Sequence, residues 1–189
     1  RCVLFAFFCA LPVWAQDGPP VRPLDVVDLQ LRWTHQFQFA GYYAAVQKGF
    51  YREAGLDVRL HEGAPGKAPV DEVLAGRAAY GTANSELLFA RLQGHPLVAL
   101  AVIFQHSPSV LLARADSGVR TPHDLVGKKV MFMGGKHDTD FLAMFLREGV
   151  RPEKIEIIPS SYDIMDLVSG RVDAFNSYLT NEPFFLKQL

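Results

Sequence analysis

Residues 26–58, VVDLQLRWTHQFQFAGYYAAVQKGFYREAGLDV, hold one complete unit of an alternating architecture. The run 26–33 is rich in branched and long apolar side chains, as a strand requires. Phe39, Tyr42, Tyr43 and Val46 then recur at i, i+3, i+4 and i+7, the spacing of one helix face, and Gly49 marks its stop. A second β-rich run opens at Asp57. Strand, crossover helix and strand in that order predict parallel pairing.

The alternation continues. Further strands are expected over 57–62, 79–83, 98–105, 109–115, 128–134, 155–160 and 172–178. A helix is expected over 86–94, capped by Asn84 or Ser85 and closed by Gly94 with Pro96 beyond. Another is expected over 140–149, with Asp138 or Thr139 at its cap, and a short capped helix from Thr121. Prolines and a Ser-Gly pair between residues 106 and 129 mark a passage from one lobe to another. The expectation is an α/β protein with a first lobe over 24–112 and a second over 113–189, the second short of strands and therefore incomplete at its C-terminal side.

Hydrophobic residues make up 49% of the chain, charged residues 21%, and the net charge is −1. Such a chain has enough apolar surface to fold and no basic run to track phosphates, which excludes disorder and a nucleic-acid partner. The apolar run over 1–16, ending in Val13-Trp14-Ala15, reads as a secretory leader, followed by a Pro-rich linker over 17–23. That predicts a periplasmic protein with no membrane span in its mature segment. Cys2 and Cys9 both fall in the leader, so neither a disulfide nor a thiolate metal site is expected.

Five blocks in collinear order, Trp33 with the helix behind it, KGFYREAGLDV at 48–58, AGRAAYGTANSELLFARLQGHPLVALAVI at 75–103, TPHDLVGKKV at 121–130 and VDAFNSYLTNEP at 172–183, resemble the NMT1/THI5-like (SsuA/THI5-like) family of periplasmic substrate-binding proteins. The resemblance implies a type II periplasmic-binding-protein fold, two α/β lobes with a ligand cleft and a chain that returns to the first lobe. It also implies a small-molecule ligand, such as an aminopyrimidine thiamine precursor or a sulfonate. The implied partners are the membrane subunits of an ABC importer or a fused signalling domain; the WTHQFQFAGYYAA form of the first block resembles sensor-associated members, such as histidine kinases or diguanylate cyclases.

In an open α/β lobe ligands bind outside the carboxyl ends of the strands, which is where Trp33 stands. Trp33 offers a stacking face and one N–H, or it packs beneath the lobe. His35 and Gln36 leave the same turn and carry hydrogen-bonding groups. Tyr42 and Tyr43 divide between core and ligand by helical spacing. Asn84 and Ser85 serve as caps, as ligand contacts, or as both. Gly134 and Gly135 allow a close backbone approach, with His137 and Asp138 at the following helix start. Asn181 and Glu182, before Pro183, either contact ligand or cap a helix. No metal is expected from this set.

One branch of the family makes the thiamine pyrimidine, with a lysine that holds pyridoxal phosphate and a histidine four residues later. Those positions here are Ala83 and Leu87, which offer neither an amine nor a ring nitrogen. A histidine usual in that branch aligns with about Phe39. No catalytic residue and no cofactor are therefore expected, and the chain reads as a receptor.

Overall fold

The computed structural model describes residues 22–188. The expected leader, with Cys2 and Cys9, and the linker up to Val21 lie outside the described residues.

Strand β1 (Asp25–Gln30) is the centre of a parallel sheet ordered β2-β1-β3. It pairs along its length with β2 (Leu56–His61), Val27 opposite Val58 and Leu29 opposite Leu60. Only its carboxyl end meets the short β3 (Tyr80–Gly81). Between β1 and β2 the chain crosses through a 3-10 turn at Phe37–Phe39, α1 (Ala40–Gln47) and α2 (Phe50–Glu53). Burial rises along β1 from exposed Asp25 to Leu29, Gln30 and Leu31, so the strand is anchored where it ends. Leu29, Leu31 and Phe39 form that anchor, and Trp33, Tyr42 and Tyr43 pack on it. A separate cluster of Val70, Ala90 and Leu97 holds α3 (Pro69–Leu74) and α4 (Glu86–Leu92).

The second sheet is ordered β4-β7-β5-β6. β4 (Ser109–Ala113) runs antiparallel to β7 (Ala174–Tyr178), while β5 (Lys129–Phe132) runs parallel to β7 and to β6 (Glu156–Pro159). Val130, Met131 and Phe132 are all buried, as a strand covered on both faces demands. Their side chains alternate. Val130 and Phe132 join Phe141 and Phe145 of α5 (Thr139–Arg147), whereas Met131 joins Leu167 of α6 (Met165–Val168) and Phe175. The chain then forms α7 (Glu182–Leu186).

Three features differ from expectation. Residues 98–105 form no strand, and Val98, Leu100, Val102 and Ile103 are all at least two-thirds exposed. A β-prone run becomes a strand only with a ladder partner, and the first sheet ends at β3. The division expected at residues 112/113 falls inside β4, all of which pairs with β7. The caps also differ: Ser85, Asp138 and Asn181 occupy N-cap positions without a side-chain capping bond, while Asn84 bonds Tyr178, Asp138 bonds loop amides and Asn176, and Asn181 bonds Glu182.

Candidate functional site

A cleft of about 250 Å³ opens where the carboxyl ends of the two sheets face each other. The turn after β1 supplies Arg32, Trp33, Gln36 and Gln38. The second lobe supplies Ser160 and Tyr162 after β6, Asn176 to Tyr178 from β7, and Asn181, Glu182 and Phe185 beyond it.

Trp33 and Tyr162 meet across this cleft, with ring centroids 5.1 Å apart and planes inclined at 40°. Each is held by its own lobe. Gly63 donates its N–H to the Trp33 carbonyl at 2.9 Å, and a Cβ at Gly63 would lie 2.5 Å from the Arg32 carbonyl carbon. Any side chain there would displace the turn that carries Arg32 and Trp33. Tyr162 has φ of 61°, a left-handed conformation that L-residues other than Asn and Asp seldom adopt. Hydroxyls enforce it: Ser160 Oγ accepts from Tyr162 N at 3.1 Å, Ser161 Oγ accepts from Asp163 N at 3.2 Å, and Ser161 Oγ donates to Asp166 at 2.7 Å. Backbone strain of this kind concentrates at ligand-contacting loops.

Polar contacts join and brace the lobes. Asn84 Nδ2 donates to Tyr178 Oη at 2.6 Å, and the Arg32 guanidinium carbon lies 5.5 Å from the centre of the Tyr178 ring. Glu182 accepts from Ser177 Oγ at 2.7 Å, Tyr178 N at 2.8 Å and Asn181 Nδ2 at 2.8 Å, which fixes the end of β7. Asp138 accepts from Met133 N at 3.2 Å, Gly134 N at 2.5 Å and Asn176 Nδ2 at 2.8 Å. Burial pushes the Asp138 carboxyl above the ordinary aspartate range, and the donors from Gly134, Met133 and Asn176 offset this in part.

The NMT1/THI5 like family model matches residues 36–189, most of the chain. The chain belongs to the NMT1/THI5-like family. A 4-amino-5-hydroxymethyl-2-methylpyrimidine phosphate synthase of Legionella pneumophila is 26% identical over 145 residues, 75% of this chain and 45% of that protein. A formylaminopyrimidine-binding protein of Halalkalibacterium halodurans is 24% identical over 189 residues, 98% of this chain and 56% of that protein. Among solved structures, the periplasmic aliphatic sulphonate binding protein SsuA of Escherichia coli superposes with a TM-score of 0.60 at 20% identity, covering 82% of this chain and 51% of that one. The chain thus spans about half the length of the curated relatives it matches. The fold is that of the two-lobed periplasmic binding proteins.

Within this NMT1/THI5-like fold the expected site residues separate into groups. Trp33, Gln36, Asn181 and Glu182 line the cleft. Asn84 and Asp138 stand behind it and act through Tyr178 and Asn176. His35 and Tyr43 lie outside the lining: the Tyr43 hydroxyl bonds His35 Nδ1, and His35 N donates to Glu62 at 2.8 Å. Tyr42 packs on the first-lobe core, where burial, more than neighbouring Tyr51, raises its hydroxyl pKa. Ser85, Gly135 and His137 do not line the cleft, and the Gly134 amide is taken by Asp138. Among the described residues no three His, Cys, Asp or Glu side chains form a metal cluster, and no helix is long and apolar enough to cross a membrane.

Arg32, Tyr162 and Tyr178 were not singled out by sequence. Their available signal is place alone: each follows or ends a strand at its carboxyl side.

Proposed function

We propose that this chain is the ligand-binding part of an extracytoplasmic solute receptor, which closes its lobes on a small planar molecule and presents it to an ABC importer. The observation that carries this reading is the Trp33–Tyr162 pair, one ring from each lobe, 5.1 Å apart in a shared cleft. Two rings on separate bodies suit a flat heterocycle, which replaces their direct contact by parting them to roughly 7 Å and stacking on both. The relative named for formylaminopyrimidine is named for a ligand of that shape. At about 250 Å³ the cleft lies just below the range of small-molecule sites, roughly 300–1,000 Å³, which favours a single-ring ligand.

A binding role is favoured over synthesis because Ala83 and Leu87 lie where the synthase branch has its lysine and histidine. Both pack against the Val70, Ala90 and Leu97 core cluster. Ligand binding favours the closed arrangement to the extent that it binds that arrangement better, which gives a membrane partner something to read.

Thermal unfolding of the full-length protein with a library of planar heterocycles tests the proposal. A ligand at one hundred times its Kd adds about 2.7 kcal/mol of apparent stability. That stabilisation is expected to disappear in Trp33→Ala. Turnover of pyridoxal phosphate into a pyrimidine, or a library ligand whose binding ignores Trp33→Ala, refutes it.

A further inference from the structure

Arg32 is the last residue before Trp33 at the carboxyl end of the first-lobe sheet, and it lines the cleft. Its backbone N–H is bound to Thr82 Oγ1 at 2.8 Å, so the main chain is fixed. Its side chain is not: Nη1 is shut off from solvent and has no hydrogen-bond partner. The guanidinium instead rests over the Tyr178 ring, whose hydroxyl is held by Asn84. Arg32 as a whole is half-buried, but a single guanidinium nitrogen cut off from water and left unpaired is destabilising. The acidic groups of the same cleft do not relieve it. Glu182 receives Ser177, Tyr178 N and Asn181, and Asp138 receives Met133 N, Gly134 N and Asn176.

We infer that Arg32 is the specificity-determining anchor for a carboxylate of the ligand, attached to a flat ring that takes the place of the Trp33–Tyr162 contact. The inference rests on the receptor reading above and narrows its ligand class. The planar fork of an arginine matches a two-oxygen anion, and the Tyr178 face beneath it keeps the fork in one plane. Asn176 adds a second selection. Its Nδ2 is committed to Asp138 at 2.8 Å, and among the described residues no donor meets Oδ1, which can accept an N–H of the ligand. The preferred solute is therefore a single ring with an anionic group and an amino group.

The test uses 6-aminonicotinate and its uncharged counterpart 6-aminonicotinamide, titrated calorimetrically into the full-length protein and its Arg32→Gln variant. The wild type is expected to bind the anion roughly tenfold to hundredfold more tightly, the range for a hydrogen bond to a charged group. Arg32→Gln is expected to erase that preference, lowering the affinity for the anion at least tenfold more than that for the amide. Without either probe, Arg32→Met is expected to unfold at a higher temperature than wild type, because it removes an unpaired buried donor. Equal affinity of wild type for the two probes, equal loss of both in Arg32→Gln, or a lower unfolding temperature for Arg32→Met overturns the inference. A neutral library ligand whose binding needs Trp33 also overturns it and leaves the receptor reading standing. Failure of every ligand, charged or neutral, strikes the receptor reading itself.

Discussion

Tyr178→Phe removes one oxygen and keeps the ring under Arg32, so it isolates the hydrogen bond from Asn84 Nδ2 that joins the first lobe to the end of β7. At 2.6 Å this bond is a little shorter than the usual range of roughly 2.7–3.2 Å, and it is partly buried. A neutral hydrogen bond contributes about 0.5–1.5 kcal/mol net, and a donor left partly desolvated adds to the loss. The expected cost is about 1–2 kcal/mol, or about a fivefold to thirtyfold change in the equilibrium it supports. Urea denaturation of wild type, Tyr178→Phe, Asn84→Ala and the double variant measures it. The cycle should return a coupling of about 0.5–1.5 kcal/mol, since residues in direct contact do not add. A coupling under about 0.3 kcal/mol would mean that the bond does not tie the lobes, and the argument for a latched interface would fail.

Tyr162→Gly trades opposing terms: it relieves about 1–2 kcal/mol of left-handed strain, loses about 0.5–1.5 kcal/mol of contact with Trp33, and gives the unfolded chain about 0.5–1 kcal/mol more freedom. Thermal unfolding should therefore place it within about 1.5 kcal/mol of wild type while ligand-induced stabilisation falls sharply; a larger loss of stability without ligand would show the ring to be structural. For Asp138, whose native pKa is raised by burial, the native state holds the proton more tightly than the unfolded chain. Its stabilising contribution is complete below the unfolded value of about 3.9 and is lost as pH rises through the raised native value. Asp138→Asn should accordingly gain on wild type across that rise when urea midpoints are compared, and a difference independent of pH would refute the account.

Residues 26–58 made the first lobe legible because strand and helix periods alternate there without conflict, and β5 was legible because Val130 to Phe132 are apolar without a break. Residues 98–105 misled for a physical reason. Their composition favours a strand, but pairing is a property of a neighbour, and among the described residues no strand lies beside them. The candidate site was legible where position after a strand coincided with a distinctive side chain, as at Trp33. It was obscure at Tyr162, whose left-handed backbone is set by the hydroxyls of Ser160 and Ser161 and not by a glycine. Asp138 illustrates another limit: its carboxylate lies next to a helix start, yet serves a loop and a strand residue 38 positions away.

Arg32 is the one lysine or arginine among the described residues that line the cleft. Glu182 lines the cleft and Asp138 stands behind it, but the donors they accept come from the second lobe itself. Both carboxylates therefore stiffen the surface that carries Tyr178 and Asn176. Arg32 belongs to the other lobe, and its Nη1 has no such internal partner. An anion bound at Arg32 while its ring meets Tyr162 would bridge two bodies otherwise joined through Asn84–Tyr178 and the two aromatic faces. A ligand that reaches the first lobe's Nη1 and the second lobe's ring together would hold the lobes at the separation its own ring sets, and its differential affinity for that arrangement is what shifts the population.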